Sequence, residues 1–210
     1  KNYFNIVAHA EYRNKTKNKL WDIIAKGELY MAGTNIGDYN AYALLSRYFN
    51  KRWGNVSLMF NNVNRSPSFI YSTTSSFNLG NTASYNKENI LILKATADNP
   101  LFSLTAANYF ITNYLYFKNY YETDQYSRVI NLLQVTASKK IKVSKRWNWY
   151  IEAAAQQTDA AAPIKVPLLY TRNRLAFEGL FFKNLNLSTG IEVRYYTPYK
   201  TYNYSPVMGK

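Results

Sequence analysis

The chain has 210 residues, a formal net charge of +14 and a mean hydropathy of −0.38, and 17% of its residues are aromatic. With 47% hydrophobic residues and only 8 Gly and 6 Pro, the disordered and collagen-like classes are excluded. The absence of cysteine excludes disulfides, thiolate metal sites and a cysteine nucleophile. No run reaches the roughly 18 apolar residues of a transmembrane helix, whereas a membrane strand needs apolar residues only at alternate positions.

Alternation of polar and apolar residues predicts about ten strands. In chain order they cover about residues 3–13, 21–32, 39–49, 56–65, 87–97, 101–117, 129–143, 149–156, 169–181 and 187–196. In the sixth, the apolar residues change face near Asn108, which predicts a β-bulge there. The arms of the last hairpin approach roughly 13 residues, longer than the usual five or six of soluble sheets and long enough to cross a bilayer.

The connections between these strands fall into two classes that alternate along the chain. Short ones lie near residues 14–19, 50–54, 98–100, 144–147 and 183–185, and longer ones near 33–38, 67–86, 118–127, 157–167 and after Thr197. Outer-membrane barrels have short periplasmic turns and longer extracellular loops. The sequence therefore predicts an all-β fold, a transmembrane antiparallel up-and-down β-barrel in the outer membrane of a Gram-negative bacterium, forming one domain over residues 1–210.

Charged residues occupy the polar positions of the alternation, and we expect them to line the lumen. They are Glu11, Arg13, Lys26, Glu28, Arg47, Arg65, Lys94, Glu152, Arg172, Arg174, Glu178, Glu192 and Arg194. On a lipid face each Arg or Lys would cost about 2–4 kcal/mol at the midplane. These residues either line a conduit for small solutes with a weak preference for anions, or form cross-strand ladders that stiffen the wall.

The four tryptophans mark one rim of the predicted sheet. Trp21, Trp53, Trp147 and Trp149 all lie beside predicted short turns and close to Lys or Arg. Indole rings prefer the headgroup region of a membrane, and long basic side chains can reach lipid phosphates from there. We therefore expect this rim to lie at the membrane interface, in contact with outer-membrane lipid and lipopolysaccharide.

From Tyr170 onward, the sequence YTRNRLAFEGLFFKNLNLSTGIEVRYYTPYKTYNYSPVMGK closely resembles the putative porin family of Bacteroidota outer membranes. LYMAGTNIGDYNAYALLSRYF and KENILILKATADNPLF resemble it more weakly. The resemblance implies an outer-membrane β-barrel that acts as a channel. No signal peptide precedes the first strand, and the chain stops in a loop-like segment without a terminal strand, so we expect part of a larger barrel.

Other chemistry has little support. His9, the single histidine, lies near Glu11, but no nucleophile motif such as G-x-S-x-G accompanies it, and no His or carboxylate cluster has metal-ligand spacing. We therefore predict no catalytic residue, no metal and no cofactor, and the distribution of basic residues argues against nucleic acid. The alternative function is a docking subunit that contacts other outer-membrane proteins through the Tyr-rich loops 67–86 and 119–126, and an envelope enzyme built on a barrel is the third.

Overall fold

The computed structural model describes residues 4–15, 21–71, 84–118, 122–182 and 184–200. Within these ranges the structure is built from strands and one short 3-10 helix, Phe69–Tyr71. The strands are β1 (Asn5–Lys15), β2 (Trp21–Gly33), β3 (Tyr39–Asn50), β4 (Gly54–Arg65), β5 (Glu88–Asp98), β6 (Ser103–Thr112), β7 (Tyr114–Phe117), β8 (Thr123–Tyr126), β9 (Ile130–Lys142), β10 (Trp147–Thr158), β11 (Leu169–Phe181) and β12 (Leu185–Tyr196).

Ten of these strands form a single antiparallel sheet in the order β1-β2-β3-β4-β5-β6-β9-β10-β11-β12. Each strand pairs with its neighbour along the chain, except that the small β7–β8 hairpin is inserted between β6 and β9. This is the up-and-down arrangement that the sequence predicts, and the number of strands is confirmed. The sheet is open in this structure, with β1 and β12 at its two edges.

The register of the strands divides the sheet into two chemically different faces. Lys26 lies opposite Glu11 on β1 and Tyr42 on β3, whereas Leu45 lies opposite Ile23 and Leu58. Directly paired residues point to the same side of a sheet. The positions aligned with Lys26 therefore form one face, called here the charged face, and those aligned with Leu45 form the other, called here the apolar face. The apolar face continues across the whole sheet to β11 and β12, where Leu175 is paired with Ile191.

The two faces also differ in how crowded they are. On the charged face, Ala107, Ala154 and Ala176 are only 3%, 3% and 0% exposed. On the apolar face the large side chains of Leu58 and Ile191 are 55% and 72% exposed. Such a difference arises when a sheet curls toward one face, so that side chains converge there and spread apart on the other. The charged face is therefore the inner face of the curl.

The connections lie at two ends of the sheet. One end, called here the turn end, has the short turns at residues 51–53, 99–102 and 143–146 and the connection between β11 and β12, of which Phe182 and Asn184 are described. The other, called here the loop end, has residues 34–38, the connection between β4 and β5 (described at 66–71 and 84–87), the connection between β6 and β9 (described at 113–118 and 122–129) and residues 159–168. Of the predicted connections, residues 16–20, 72–83, 119–121, 183 and 201–210 lie outside the described residues. None of the described residues forms a helix long and apolar enough to span a membrane.

The sixth strand differs from its prediction. The pairing of β6 with β5 and β9 continues without a shift through Asn108, so the bulge expected there is absent from this strand. Asn108 instead places its amide on the apolar face, between Leu93 and Leu133. The interruption comes at Asn113, which has a φ of 57° and separates β6 from β7. A left-handed residue of this kind turns the chain out of the sheet, and Asn tolerates that conformation better than most residues.

Glycine is required at the first position of β4, directly after the turn at residues 51–53. Gly54 has a φ of 70°, and a Cβ atom there would clash with the carbonyl oxygen of Asp98. We expect Gly54→Ala to destabilise the folded protein by about 1–3 kcal/mol because the left-handed backbone becomes strained. Gly27→Ala is the matched control, since its Cβ would meet nothing within 4 Å. The stability of both variants is measured by unfolding them in urea and following the loss of the folded band, which is the band that moves on a gel when the sample is heated. Equal urea midpoints for the two variants would contradict the prediction.

Candidate functional site

The charged face brings together nearly all of the charged residues that the sequence singles out. The pairing register places twelve of the thirteen there: Glu11, Arg13, Lys26, Glu28, Arg65, Lys94, Glu152, Arg172, Arg174, Glu178, Glu192 and Arg194. Arg47 is the exception. It lies opposite Trp21 and Val56 on the apolar face, which corrects its grouping with the others. The reason is its phase along β3, where it follows Leu45 by two residues and therefore points the same way.

On β1 and β2 the charges form one connected network. Glu11 accepts a hydrogen bond from Arg13 and lies 3.6 Å from the Nζ atom of Lys26. His9 lies between two carboxylates, 3.9 Å from Glu11 and 3.5 Å from Glu28. The two cations and two carboxylates balance one another, and the residues are partly exposed, so the network keeps charged groups in fixed positions on a solvated surface.

A second network joins β9, β10 and β11 close to the turn end. The carboxylate of Glu178 accepts hydrogen bonds from the Tyr150 hydroxyl and, at 2.8 Å, from the Asn148 amide. Lys140 lies 3.4 Å from the same carboxylate, and its ammonium group lies 4.9 Å from the centre of the Tyr150 ring. Tyr150 thereby links an anion to a cation, which restricts all three side chains.

Glu192 on β12 is shared by two arginines. Arg172 donates from Nε and Nη2 to one carboxylate oxygen at 2.9 and 2.7 Å, and Arg194 donates from Nε to the other at 2.6 Å. Arg174 lies directly opposite Glu192 in the register, but it donates instead to Ser188 at 3.2 Å and lies over the Tyr150 ring at 5.5 Å. The carboxylate is already occupied, so the charge of Arg174 is held by neutral partners.

A cavity of about 380 Å³ lies between the turn at residues 99–102 and the side of the sheet that carries Tyr150 and Arg172. Its polar wall includes Ser103, Ser138, Lys140, Tyr150, Glu152 and Arg174. Cationic, anionic and hydroxyl groups are therefore all within reach of a small molecule in this space. The arrangement can hold water and hydrated ions, and it offers several alternative hydrogen-bond partners rather than one closely fitted set.

Lys140, Tyr150 and Asn148 belong to the site but were not predicted from the sequence. The alternation that assigns Glu152 to the charged face extends backward to Tyr150 and Asn148, so a signal was present. Lys140 is harder to assign, because Lys139, Lys140 and Lys142 occupy both phases of β9. Only the pairing of Lys140 with Tyr150 places it on the charged face.

At the loop end, two connections fold over the charged face. Ile111 and Ile130, which lie on that face, are packed with Ala162 from loop 159–168 into a buried cluster. Tyr114 and Tyr126 of the β7–β8 hairpin pack against this cluster, and burial raises the pKa of Tyr114, so the phenol stays neutral. Ala162 is 1% exposed. Residues 66–71 and 84–87 pack against the β7–β8 hairpin through Tyr71, which contacts Phe117, and Tyr85, which is hydrogen-bonded to Thr123. We call this arrangement, formed by residues 66–71, 84–87, 114–118, 122–126 and 159–168, the loop cap.

A buried carboxylate ties two connections at the loop end to each other, residues 34–38 and the connection between β4 and β5. Asp38, which is 5% exposed, accepts hydrogen bonds from the amide of Ser66 at 2.9 Å and from its hydroxyl at 2.7 Å. The Nζ atom of Lys87 lies 2.8 Å from the same carboxylate. Burial opposes ionisation of Asp38, but the hydrogen bonds from Lys87 and Ser66 outweigh it and lower its pKa. The ionised carboxylate therefore holds the connections together.

The tryptophans lie where the apolar face meets the turn end. Trp21 is the first residue of β2, and Trp147 and Trp149 begin β10, with all three on the apolar face. Trp147 packs edge-on against Phe177 at 5.6 Å, and Trp53 lies in the turn itself, 65% exposed. Aromatic side chains thus border the apolar band at this end of the sheet.

The sequence profile of a family described as putative porin matches residues 1–210, the whole chain. This chain belongs to the putative porin family. Membership implies a porin-like protein of the Gram-negative outer membrane, and the open ten-stranded sheet with one apolar face is consistent with a transmembrane barrel. No curated protein and no solved structure matches the chain. Among the described residues, no group of three or more His, Asp or Glu side chains could hold a metal ion.

The Asp38 contacts predict a pH-dependent loop cap. Because the pKa of Asp38 is lowered by folding, its contribution is present above the usual value of 3.8 and is lost as the pH falls through the folded value. At pH 7, Asp38→Asn removes the ion pair with Lys87, and we expect amide exchange at Ser66 to accelerate about tenfold or more. Asp159→Asn, at an exposed position in loop 159–168, is the control. Unchanged exchange in Asp38→Asn would contradict this role.

Proposed function

We propose that this chain forms the wall of an outer-membrane channel through which small hydrophilic solutes diffuse passively. One observation carries the proposal: the charges of the long strands, apart from Arg47 and Lys139, are gathered on the inner face of the curl, while the opposite face is otherwise apolar. The apolar face then contacts hydrocarbon, and the charged face lines water. The backbone of such a strand is satisfied by its neighbours, which is what a bilayer requires.

The networks on the charged face suit a conduit. In a water-filled lumen, long charged side chains would otherwise sample many positions, but pairs such as Arg172 with Glu192 hold them against the wall. A solute passing the cavity exchanges part of its hydration shell for hydrogen bonds to Lys140, Arg174 or Ser138 and leaves without deep trapping. No covalent step is required.

We further propose a weak preference for anions. The preference is supported by Arg174, whose guanidinium is held by Ser188 and the Tyr150 ring rather than by a carboxylate. It is limited by Glu152, which lines the same cavity and lies opposite Arg172. A surface with interspersed signs and a modest cationic excess attracts anions without excluding cations.

The orientation that we propose places the turn end in the periplasm and the loop end outside the cell, as is usual for outer-membrane barrels. The loop cap then narrows the external mouth, since it packs over the inner face of the sheet. In this orientation lipopolysaccharide surrounds the loop end, and phospholipid surrounds the turn end. The alternative function, a docking subunit of an outer-membrane assembly, is favoured by the cap itself, whose tyrosines include Tyr71, packed 5.5 Å from Phe117, and Tyr85.

The lumen assignment predicts that selectivity depends on which face a charge occupies. We expect Arg174→Gln to shift the reversal potential in a KCl gradient toward cations, because it removes a cation from the conduit, and reversal of Arg172, Arg174 and Arg194 to Glu to shift it further. Arg47→Gln makes the same chemical change on the apolar face and should leave the potential unchanged. An equal response of Arg174→Gln and Arg47→Gln would refute the assignment.

The cap assignment predicts a wider mouth when loop 159–168 is displaced. Ala162→Arg introduces a long cation into a buried apolar site, so the loop must leave the charged face, and we expect single-channel conductance to rise. Ala161→Arg adds the same side chain at the neighbouring exposed position and should change conductance little. Correct insertion, judged by a heat-dependent gel shift, with no conductance in any variant would instead favour the docking subunit.

A further inference from the structure

The apolar face carries charge at two positions among the described residues of the ten-stranded sheet. They are Arg47 on β3 and Lys139 on β9, and both are cationic. Each lies three residues before the end of its strand at the turn end, Asn50 for β3 and Lys142 for β9. At about 3.3 Å per residue, both lie roughly 10 Å from that end along the strand. Two cations therefore lie at one depth, and the described strands place no carboxylate on that face.

The surroundings of Arg47 define the better-formed of the two positions. Its guanidinium carbon lies 4.6 Å from the centre of the Trp21 ring and 4.7 Å from that of Phe49. The rings hold the group by cation–π attraction, but an aromatic face accepts none of the strong hydrogen bonds that a guanidinium offers. The Nε atom is buried and has no hydrogen-bond partner among the described residues. The cation is thus positioned by apolar partners while its donor capacity is incompletely used.

We propose that Arg47, held between Trp21 and Phe49, binds the phosphate group of an anionic glycerophospholipid at the turn-end rim. A guanidinium matches a phosphate in charge and in the geometry of its paired donors. An indole and a phenyl ring beside it suit the boundary between headgroups and acyl chains. Lys139, next to Ile151 and near Trp149, is a second and simpler position of the same kind, with a point charge in place of the planar donor group.

The choice of phospholipid rests on the proposed function, which sets the apolar face in lipid and the turn end in the periplasmic leaflet. That leaflet is the one composed of glycerophospholipid, whereas the outer leaflet presents lipid A. Arg47 points away from the charged face, so its lipid site and the conduit are on opposite sides of one sheet. The two assignments can therefore be tested with the same pair of variants.

The test uses the whole natural protein, purified in neutral detergent, with phosphatidylglycerol, phosphatidylcholine and lipid A as separate probes in native mass spectrometry. We expect phosphatidylglycerol to bind more tightly than phosphatidylcholine, and Arg47→Gln to weaken its binding about tenfold. Arg174→Gln, the same change on the charged face, should bind phosphatidylglycerol like the wild type. Lys139→Gln should remove a weaker binding event, and Arg47→Lys should retain part of the affinity.

The site would be overturned if phosphatidylglycerol and phosphatidylcholine bound equally well, or if Arg47→Gln had no effect on phosphatidylglycerol binding. The assigned leaflet and lipid would be overturned if the protein bound lipid A in preference to phosphatidylglycerol. Should Arg47→Gln fail to insert, a salt titration of the wild type decides, because the site requires phosphatidylglycerol binding to weaken with salt more than phosphatidylcholine binding. The two proposals can fail separately. If the protein inserts but does not conduct, while Arg47→Gln still weakens phosphatidylglycerol binding, the proposed channel is refuted and the lipid site is supported.

Discussion

The pairing register of the ten strands is the constraint on which the rest of this structure depends. Side chains alternate strictly along a strand, and each antiparallel partner fixes which residues share a side, so a shift by one residue would exchange the two faces. The register aligns Lys26 with Glu11 and Leu45 with Leu58. In hydrocarbon such a shift would expose many charges at once, at about 2–4 kcal/mol for each Arg or Lys near the midplane.

The chemistry of the charged face follows from that alignment. Residues distant in sequence become cross-strand neighbours, so that Glu178 on β11 receives Tyr150 and Lys140 from two different strands. The same geometry lets Glu192 neutralise two arginines and leaves Arg174 with neutral partners. The functional and stiffening interpretations of these residues are therefore compatible, because the pairs that stiffen the sheet also determine which cation, Arg174, is held by neutral partners.

The loop end and the turn end are organised by different interactions. At the loop end, buried apolar side chains and the carboxylate of Asp38 fold connections back over the charged face. At the turn end the connections are short, and Trp21, Trp147 and Trp149 lie outward on the apolar face. A sheet with a cap on its inner side and aromatic residues on its outer rim has two distinct ends, which is the asymmetry that a membrane with two different surfaces imposes.

The sequence by itself determined the strands, their up-and-down order and the face of twelve of the thirteen charged residues, because a period of two is a local property that needs no partner. The prediction was wrong for Arg47, which was assigned to the charged face because of its charge although its alternation with Leu45 places it on the apolar face. It was also wrong at Asn108, because a polar residue on the apolar face looked like the change of face that a bulge produces. Only the tertiary structure decided the contacts across strands: the sharing of Glu192, the place of Lys140, the enclosure of Arg47 by two rings and the folding of loop 159–168 onto Ile130. These depend on register and on packing between residues far apart in the chain, and no local pattern encodes either.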